Sequence, residues 1–515
     1  MNEWDYVIVG AGTAGCVLAR RLSEDPGVSV LLLEAGPEYP RLRLGVPLPS
    51  LREGPALSWK YFTRQQRHLA GRRLYLPLGR VVGGSSSVNA MVYCRGSAHT
   101  FDRWSDAAGP GWSYRDVLPW FLKSENQQHG ASAYHGVGGP LDVSDAVHRA
   151  PFSEAFVAAC LEAGMPRCRD FNVPSPDGAG FFQVTQRHGE RVTTARAYLK
   201  PARHRPGLRL VARATVSRLL FDGVRAVGVE YRAGDAVATA FARREILLSA
   251  GSIDSPRLLQ LSGVGPADHL RAVGIEPRLD LPGVGANLQD HVRIPVLYES
   301  GRPSPGRMAK WIPAGADWVL QRKGVMASNC CESGAFVRSS SDLAEPDLQF
   351  VTHFQSALYP GTVDLQFCLV RVESRGSVRV RSADPAERPD IDPNYLSHDA
   401  ELAACVHGLR LARRLAQSPA LRRFPLTAEI APGTDLTTDE ELQRYCRAMA
   451  ETCYHPAGTC AMGTDEMAVV DGELRVHGTE GLRVVDASVM PELPTGNTLA
   501  TTVMIAEKAA ALLTG

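Results

Sequence analysis

Residues 451–464 read E-T-C-Y-H-P-A-G-T-C-A-M-G-T and hold one histidine, His455, between a tyrosine and a proline. A residue before proline is pushed out of the helical region into extended backbone, so His455 is expected in an irregular or strand-like segment. There its imidazole can be aimed at a partner and exchange a proton near neutral pH. It can equally be a hydrogen-bonded core group, and this segment alone leaves both readings open. A second group of chemically suggestive residues opens the chain. The apolar run D-Y-V-I-V-G (5–10) leads into G-A-G-T-A-G (10–15), then into the helix-periodic C-V-L-A-R-R-L-S-E-D (16–25) and a second apolar run, V-S-V-L-L-L-E-A-G (28–36). This is the order strand, glycine loop, helix, strand that binds a dinucleotide. Gly10 makes the tight turn, Gly12 admits a pyrophosphate to the backbone, and Gly15 lets helix and strand pack closely. Thr13 and Ala14 begin the helix whose N–H groups and dipole face the phosphates. Glu34 stands nineteen residues after Gly15, followed by Ala35, and suits a ribose-hydroxyl acceptor. Its charge disfavours a 2′-phosphate and so excludes NADP; the motif does not choose between FAD and NAD.

Other totals exclude function classes. The chain has 515 residues and a formal net charge of +1, so it has no basic footprint for nucleic acid. Its 44% hydrophobic and 22% charged content is that of a globular protein. Six of the 56 basic residues are lysine, the bias of a GC-rich, bacterial genome. The eleven cysteines contain no C-x-x-C; Cys446, Cys453 and Cys460 are seven apart and Cys330 and Cys331 adjacent. Zinc sites favour tighter ligand pairs, so free thiols in a reducing cytoplasm and no metal are expected. Strand-like residues begin at Asp5 with no leader pattern, and no apolar run approaches the ~20 residues of a membrane span. A soluble cytoplasmic protein is expected.

The remaining elements must position these residues. Segment 207–231 reads as two or three strands with a hairpin turn at Asp222-Gly223. R-E-I-L-L-S-A-G (244–251) reads as a buried strand, and S-P-R-L-L-Q-L-S-G (255–263) as a helix capped by Ser255, with Pro256 in its first turn. From about 301 to 440 the texture changes: alternating strands, such as P-D-L-Q-F-V-T-H-F (346–354) and G-S-V-R-V-R (376–381), mix with helices near 399–417. A last strand, 481–488, precedes a closing helix from about 499 to 513. The expected fold class is α/β: a Rossmann-like dinucleotide domain, discontinuous in sequence (1–150, 190–300 and 450–515), with an α+β domain inserted in it (151–189 and 301–449).

Three long motifs carry a resemblance. They are G-R-V-V-G-G-S-S-S-V-N-A-M-V-Y-C-R-G-S-A-H-T-F-D (79–102), G-S-I-D-S-P-R-L-L-Q-L-S-G-V-G (251–265), and Y-H-P-A-G-T-C-A-M-G (454–463) with V-V-D-A-S-V-M-P-E-L-P-T-G-N-T (484–498). The chain resembles, nearly end to end, the glucose–methanol–choline (GMC) oxidoreductases, in the branch of choline dehydrogenase and choline oxidase. The resemblance implies FAD, and an inserted substrate-binding domain built on an antiparallel sheet. It places Val82, Gly84, Ser85, Asn89, Ala90 and Val92 along the flavin, Ala250, Gly251, Asp486 and Ala487 near the ribityl and pyrophosphate, and Val216 at the adenine. Some relatives link FAD covalently to a histidine at the position of Val88; valine cannot form that bond. The family's counterpart of His455 faces the flavin N5 across the substrate and takes the hydroxyl proton as hydride leaves. Asn497, aligned with the family's second position, hydrogen-bonds the substrate oxygen, and Thr498 follows it at the start of the closing helix, whose N-terminus then favours negative charge on the reduced ring. Tyr454 and His353 are candidates for the substrate pocket, whereas Asn287 and His291 read as structural. The implied reaction is oxidation of an alcohol, primary by preference, to the aldehyde, with O₂ or another compound as electron acceptor. The family's lyases and its photodecarboxylase are the alternatives; the latter needs a cation for its fatty carboxylate, and 349–354 offers no arginine. Because Val88 offers no linkage, acid or denaturant is expected to release FAD into solution, measured as flavin absorbance in the supernatant; flavin that stays with the precipitated protein would contradict this.

Overall fold

The computed structural model describes residues 3–38, 44–48, 57–300, 307–353, 361–424 and 426–514. In chain order, the elements that build the site begin with β1 (Glu3–Val9), α1 (Thr13–Leu22), β2 (Val30–Glu34) and β3 (Gly178–Phe181). Next come β4 (Leu208–Ala212), β5 (Ala214–Asp222), β6 (Arg225–Ala233), β7 (Ala236–Leu248), α2 (Gly251–Leu261) and β8 (Val292–Ile294). The chain continues through β9 (Ser333–Val337), β10 (Leu348–Val351), β11 (Phe367–Leu369), α3 (Asp399–Ala416), β12 (Glu451–Thr452), β13 (Leu482–Val484) and α4 (Thr498–Thr514).

Seven strands form the first sheet, in the order β4-β2-β1-β7-β6-β5, with β13 also on β7. β4, β2, β1, β7 and β13 run parallel. β2 is buried along its whole length, as a strand with both faces covered must be. β7 changes partner midway: its first half pairs antiparallel with β6, and Ile246–Leu248 pair parallel with β13. The closing helix α4 is buried from Leu499 to Ala510 and packs on α1, consistent with its almost unbroken apolar sequence. The hairpin expected at Asp222-Gly223 turns one residue later: Asp222 pairs with Arg225, leaving Gly223-Val224 as the loop.

The helix expected from Ser255 starts a full turn earlier, at Gly251. Its true N-terminal partner is distant in sequence: Asp486 Oδ2 accepts from Gly251 N at 2.8 Å and from Ser255 Oγ at 2.6 Å. Pro256 therefore lies inside the helix, where it removes the amide that would bond Ser252 O. Thr459 Oγ1 donates to that carbonyl instead, at 2.6 Å, so the proline is tolerated.

The second sheet has six strands in the order β12-β8-β11-β10-β9-β3, antiparallel throughout. α3 packs on β11. The strand expected at 346–354 is observed as Leu348–Val351; Phe354 lies outside the described residues.

One buried ionic network ties the excursion after β2 together. Arg95 Nη2 donates to Glu125 Oε2 at 2.9 Å, while His135 meets Glu125 through Nδ1 at 3.0 Å and Asp170 through Nε2 at 2.7 Å. Burial alone would lower the His135 pKa, but the Asp170 and Glu125 bonds outweigh it and raise it to about 9. A raised folded-state pKa contributes stability that is complete below the unfolded value and lost as pH climbs through the folded one. The difference in Tm between the wild type and His135→Gln is therefore expected to be largest below about pH 6.5 and to shrink as pH rises through about 9; a difference that stays constant from pH 6 to 10 contradicts the assignment.

Candidate active site

The dinucleotide loop is shaped by backbone contact. Gly10 has φ of +101°, and a Cβ there would lie 2.4 Å from Ser249 O. Gly84 stands against Gly12: its added Cβ would come within 2.7 Å of Gly12 Cα. The first and second glycine motifs are thus pressed together with no room for side chains. Beside them lies a cleft lined by Gly10, Gly12, Glu34, Ala35, Val216 and Ala250. Trp59 and Arg257 also line it, and neither was among the expected cofactor residues.

Glu34 accepts from Ala11 N at 2.9 Å and from Gly36 N at 2.7 Å. Burial nonetheless raises its pKa to about 7, against those two bonds. A carboxylate held this way at the floor of a narrow cleft retains lone pairs for hydroxyl donors. The chemistry of the cleft fits the adenosine half of FAD. Thr13 and Ala14 begin α1 and Gly15 packs on Gly10, whose carbonyl would lie 1.9 Å from an added Cβ. Gly251 and Asp486 meet through the α2 terminus described above, and Ala487 O accepts from Gly458 N.

The 83–92 loop is held by a residue that sequence reasoning missed. Arg191, fully buried, donates to Ser86 O at 3.0 Å and to Asn89 Oδ1 at 2.7 Å. Ser85 is exposed, and its Oγ accepts from Gly79 N. Val88 packs with Leu44, Leu57 and Val81. Val82 and Val92 are buried; Val92 belongs to an apolar cluster with Cys331, Val351 and Cys368, on which Ala90 and Cys453 also pack. That cluster runs from the glycine-rich loop to the neighbour of the candidate base.

His455 lies in an irregular segment, as Pro456 dictates. Its backbone N–H donates to Asp290 Oδ1 at 2.8 Å. Gln289 and Ala457 exchange backbone bonds, and Asn287 Nδ2 donates to Gly458 O. The stretch Asn287–His291 is therefore the clamp that holds 455–458. The His455 Nε2 lies 3.2 Å from Asn497 Nδ2, and its Nδ1 lies 3.0 Å from His291 Nδ1, with the two rings perpendicular. Gln349 Nε2 donates to Asn497 Oδ1 at 3.4 Å. His291, read from the sequence as structural, thus touches the candidate base directly. Burial lowers the His455 pKa to about 4. Burial, followed by the neighbouring His455, holds His291 well below the usual imidazole value. Both imidazoles are neutral at pH 7.

Asn497 immediately precedes α4, and Thr498 is that helix's first residue. The positive end of the helix therefore stands at Asn497 and His455. Across the second sheet, Gln349, Cys368, Arg293 and Glu451 are paired in register, and side chains so paired share one face. His291, two residues before Arg293, is on that face too. Arg293 is buried, donates to Gln366 Oε1 at 2.8 Å and is ion-paired with Glu451. The strand 349–354 lacks an arginine, as read, but the second strand over supplies one. His353 contacts Cys331 Sγ through Nε2 at 3.0 Å, and burial, with the Arg293 charge, depresses its pKa to about 3. Tyr454 is largely exposed, with φ of +64°, and its N–H is taken by Thr452 Oγ1.

The seven-spaced cysteines are not gathered: Cys446 faces Cys405, Cys453 faces Cys368 and Cys460 is buried near Asp486. Among the described residues no helix is long and apolar enough to cross a membrane.

The GMC oxidoreductase family models match residues 4–293 and 372–506. The chain is 44% identical to an oxygen-dependent choline dehydrogenase of Paraburkholderia phymatum, over 100% of this chain and 93% of that protein. Pyridoxine 4-oxidase from Mesorbium loti superimposes with a TM-score of 0.90 at 33% identity, covering 99% of this chain and 98% of the other. A formate oxidase of Aspergillus oryzae, solved to follow FAD modification, gives 0.91 at 27% identity, with 99% and 98% covered.

Proposed function

Because the chain belongs to the GMC oxidoreductase family and so oxidises CH–OH donors with FAD, we propose that His455 is the base of that reaction and Asn497 the group that holds the substrate oxygen. One observation supports this most: His455 Nε2 and Asn497 Nδ2 meet at 3.2 Å at the start of α4, so a hydroxyl set against both from one side finds a base and a donor at once. FAD, when bound, accepts the hydrogen and electron pair that leave the alcohol carbon. Neutral His455 takes the hydroxyl proton on Nε2, Asn497 donates to the oxygen as negative charge builds there, and the positive end of α4 adds to that stabilisation. Glu34, the Gly10–Gly15 loop and the α2 terminus at Asp486 hold the cofactor's adenosine and phosphates, with no covalent bond at Val88. The first sheet then serves the cofactor and the second sheet the substrate, along the face that carries Gln349, Arg293 and His291.

The relatives' name makes choline the first substrate to test. Glu451, the acid paired in register with Arg293, is already neutralised by it and has no net charge left for a quaternary ammonium, which argues for a different preference. The uncharged isostere 3,3-dimethylbutan-1-ol is expected to reduce the flavin at least as fast as choline in anaerobic stopped-flow; a choline rate tenfold higher rejects this preference. Peroxide formation in air then tells O₂ from another acceptor.

His455→Ala is expected to slow flavin reduction by roughly 10²–10⁴-fold with FAD content retained. In the wild type the neutral imidazole held by ionised Asp290 is the active form, so the rate is level from pH 7 to 8 and falls as pH drops through the Asp290 value of about 6 and toward the His455 value of about 4. Asn497→Ala is expected to cost about 1–3 kcal/mol of barrier and keep that pH dependence. Wild-type reduction rates in His455→Ala would remove this histidine from the base role.

A further inference from the structure

We propose that His291 is a positioning residue for the base: it accepts the Nδ1 proton of His455 and so keeps the unshared pair of His455 Nε2 turned toward Asn497 and the substrate hydroxyl. The inference rests on the reading of His455 as the base and adds a second imidazole to its machinery.

With the Asn497 amide oriented by Gln349, the donor inventory favours one arrangement. Gln349 Nε2 donates to Asn497 Oδ1, so the oxygen of that amide faces Gln349 and its Nδ2, a donor, faces His455 Nε2 at 3.2 Å. Nε2 must then be bare. A neutral imidazole carries one N–H, which places the His455 proton on Nδ1. The atom facing it is His291 Nδ1, at 3.0 Å, so His291 accepts there and carries its own proton on Nε2. The backbone carbonyls of Val370 and Pro494 lie beside the His291 ring, although neither makes a full hydrogen bond to Nε2, which is buried without a partner among the described residues. Reversing the shared bond would put a proton on His455 Nε2 and set donor against donor at Asn497. The neutral amide of Asn497 alone cannot fix this choice, because an unconstrained imidazole exchanges its proton between nitrogens and presents a lone pair at Nε2 only part of the time.

The arrangement also serves the protonated state. When Nε2 takes the hydroxyl proton, the Nδ1–H bond to His291 becomes charge-assisted and strengthens. The proton does not move on to His291, which already carries its own proton on Nε2 and whose charged form burial disfavours. His291 therefore orients and stabilises without serving as a second base. The groups around the pair are Arg293 and Cys453 on the same sheet face and Asp290, which precedes His291. Arg293 remains charged, the Cys453 thiol is pushed far up by burial, and burial raises Asp290 to about 6.

The test is a pair of near-isosteric variants of the FAD-loaded enzyme. The amide oxygen in His291→Asn can stand where Nδ1 stands and accept from His455; His291→Leu has the same shape and no acceptor. Asp290, Arg293 and Cys453 are common to all the proteins compared, so differences in pH profile belong to the imidazoles. With an alcohol that reduces the wild type, His291→Leu is expected to lower the limiting rate of flavin reduction by roughly 10–100-fold, the range for losing one hydrogen bond to a group that becomes charged, and to move the acid limb of the rate profile. His291→Asn is expected to recover most of the rate, with apparent substrate affinity similar in both. Equal rates in the two variants, whether both fast or both slow with an unmoved pH profile, overturn the proposal and return His291 to packing alone. His455→Ala separates the two claims: if it slows reduction by roughly 10²-fold or more while His291→Leu reduces at the wild-type rate, the base stands and its positioning residue falls; if it has no effect, the base assignment itself fails.

Discussion

The placement of His455, the proposed base, depends on one buried carboxylate. Asp290 accepts from the His455 backbone through Oδ1, and from Tyr395 and Thr452 hydroxyls through Oδ2. Burial pulls its pKa up to about 6 and these donors pull it back down, so the carboxylate is ionised at neutral pH only because its donors are in place. An unpaired buried charge costs far more than a satisfied one gains. The bond to His455 N therefore does more than decorate the segment. It joins the chain just after β12 to the chain just before β8, residues 165 apart in sequence, and fixes a short irregular stretch that has no helix or ladder to define it. With Asn287 and Gln289 on the same stretch, the motif A-N-L-Q-D-H works as a backbone clamp and, through His291, reaches the imidazole ring as well.

A second carboxylate does the equivalent work on the cofactor side. Asp486 satisfies the first amide of α2 and the Ser255 hydroxyl and is likewise raised by burial. The two acids stand at the points where the C-terminal segment returns to the rest of the fold. Each is satisfied by groups from a different part of the chain, so neither half of its network is complete without the other. Asp486 thus ties the C-terminal segment to α2 beside the first sheet, and Asp290 ties it to the second sheet at β8 and β12.

What the sequence disclosed and what it hid divide along the range of the interaction. The βαβ opening, the hairpin and the closing helix were legible because propensity, glycine placement and apolar period act over neighbours. His455 was legible as non-helical because Pro456 is adjacent, and legible as a base only through the family motifs. The start of α2 was misplaced because Ser255 looked like a local cap, whereas the cap comes from Asp486, 235 residues from Gly251. Arg191, which pins Asn89 from 102 residues away, and Arg293 gave no signal at all. His291 was visible within A-N-L-Q-D-H but not interpretable, since the meaning of a histidine depends on which ring nitrogen faces what, and its partner is 164 residues distant.

Burial of the imidazole pair sets a limit on how the proton can be held. The same desolvation that keeps His455 neutral throughout the physiological range makes its protonated form costly. An imidazolium there is sustained by the acceptor at Nδ1 and by negative charge close to Nε2. The positive end of α4 opposes it and favours that negative charge instead. Proton acceptance at His455 is therefore strongest while charge is building on the substrate oxygen beside Asn497 and weakest before and after. A site built from a neutral, desolvated base, a neutral amide and a helix terminus differentiates the reacting state from the resting ones by its charge, which is where binding interactions accelerate a reaction.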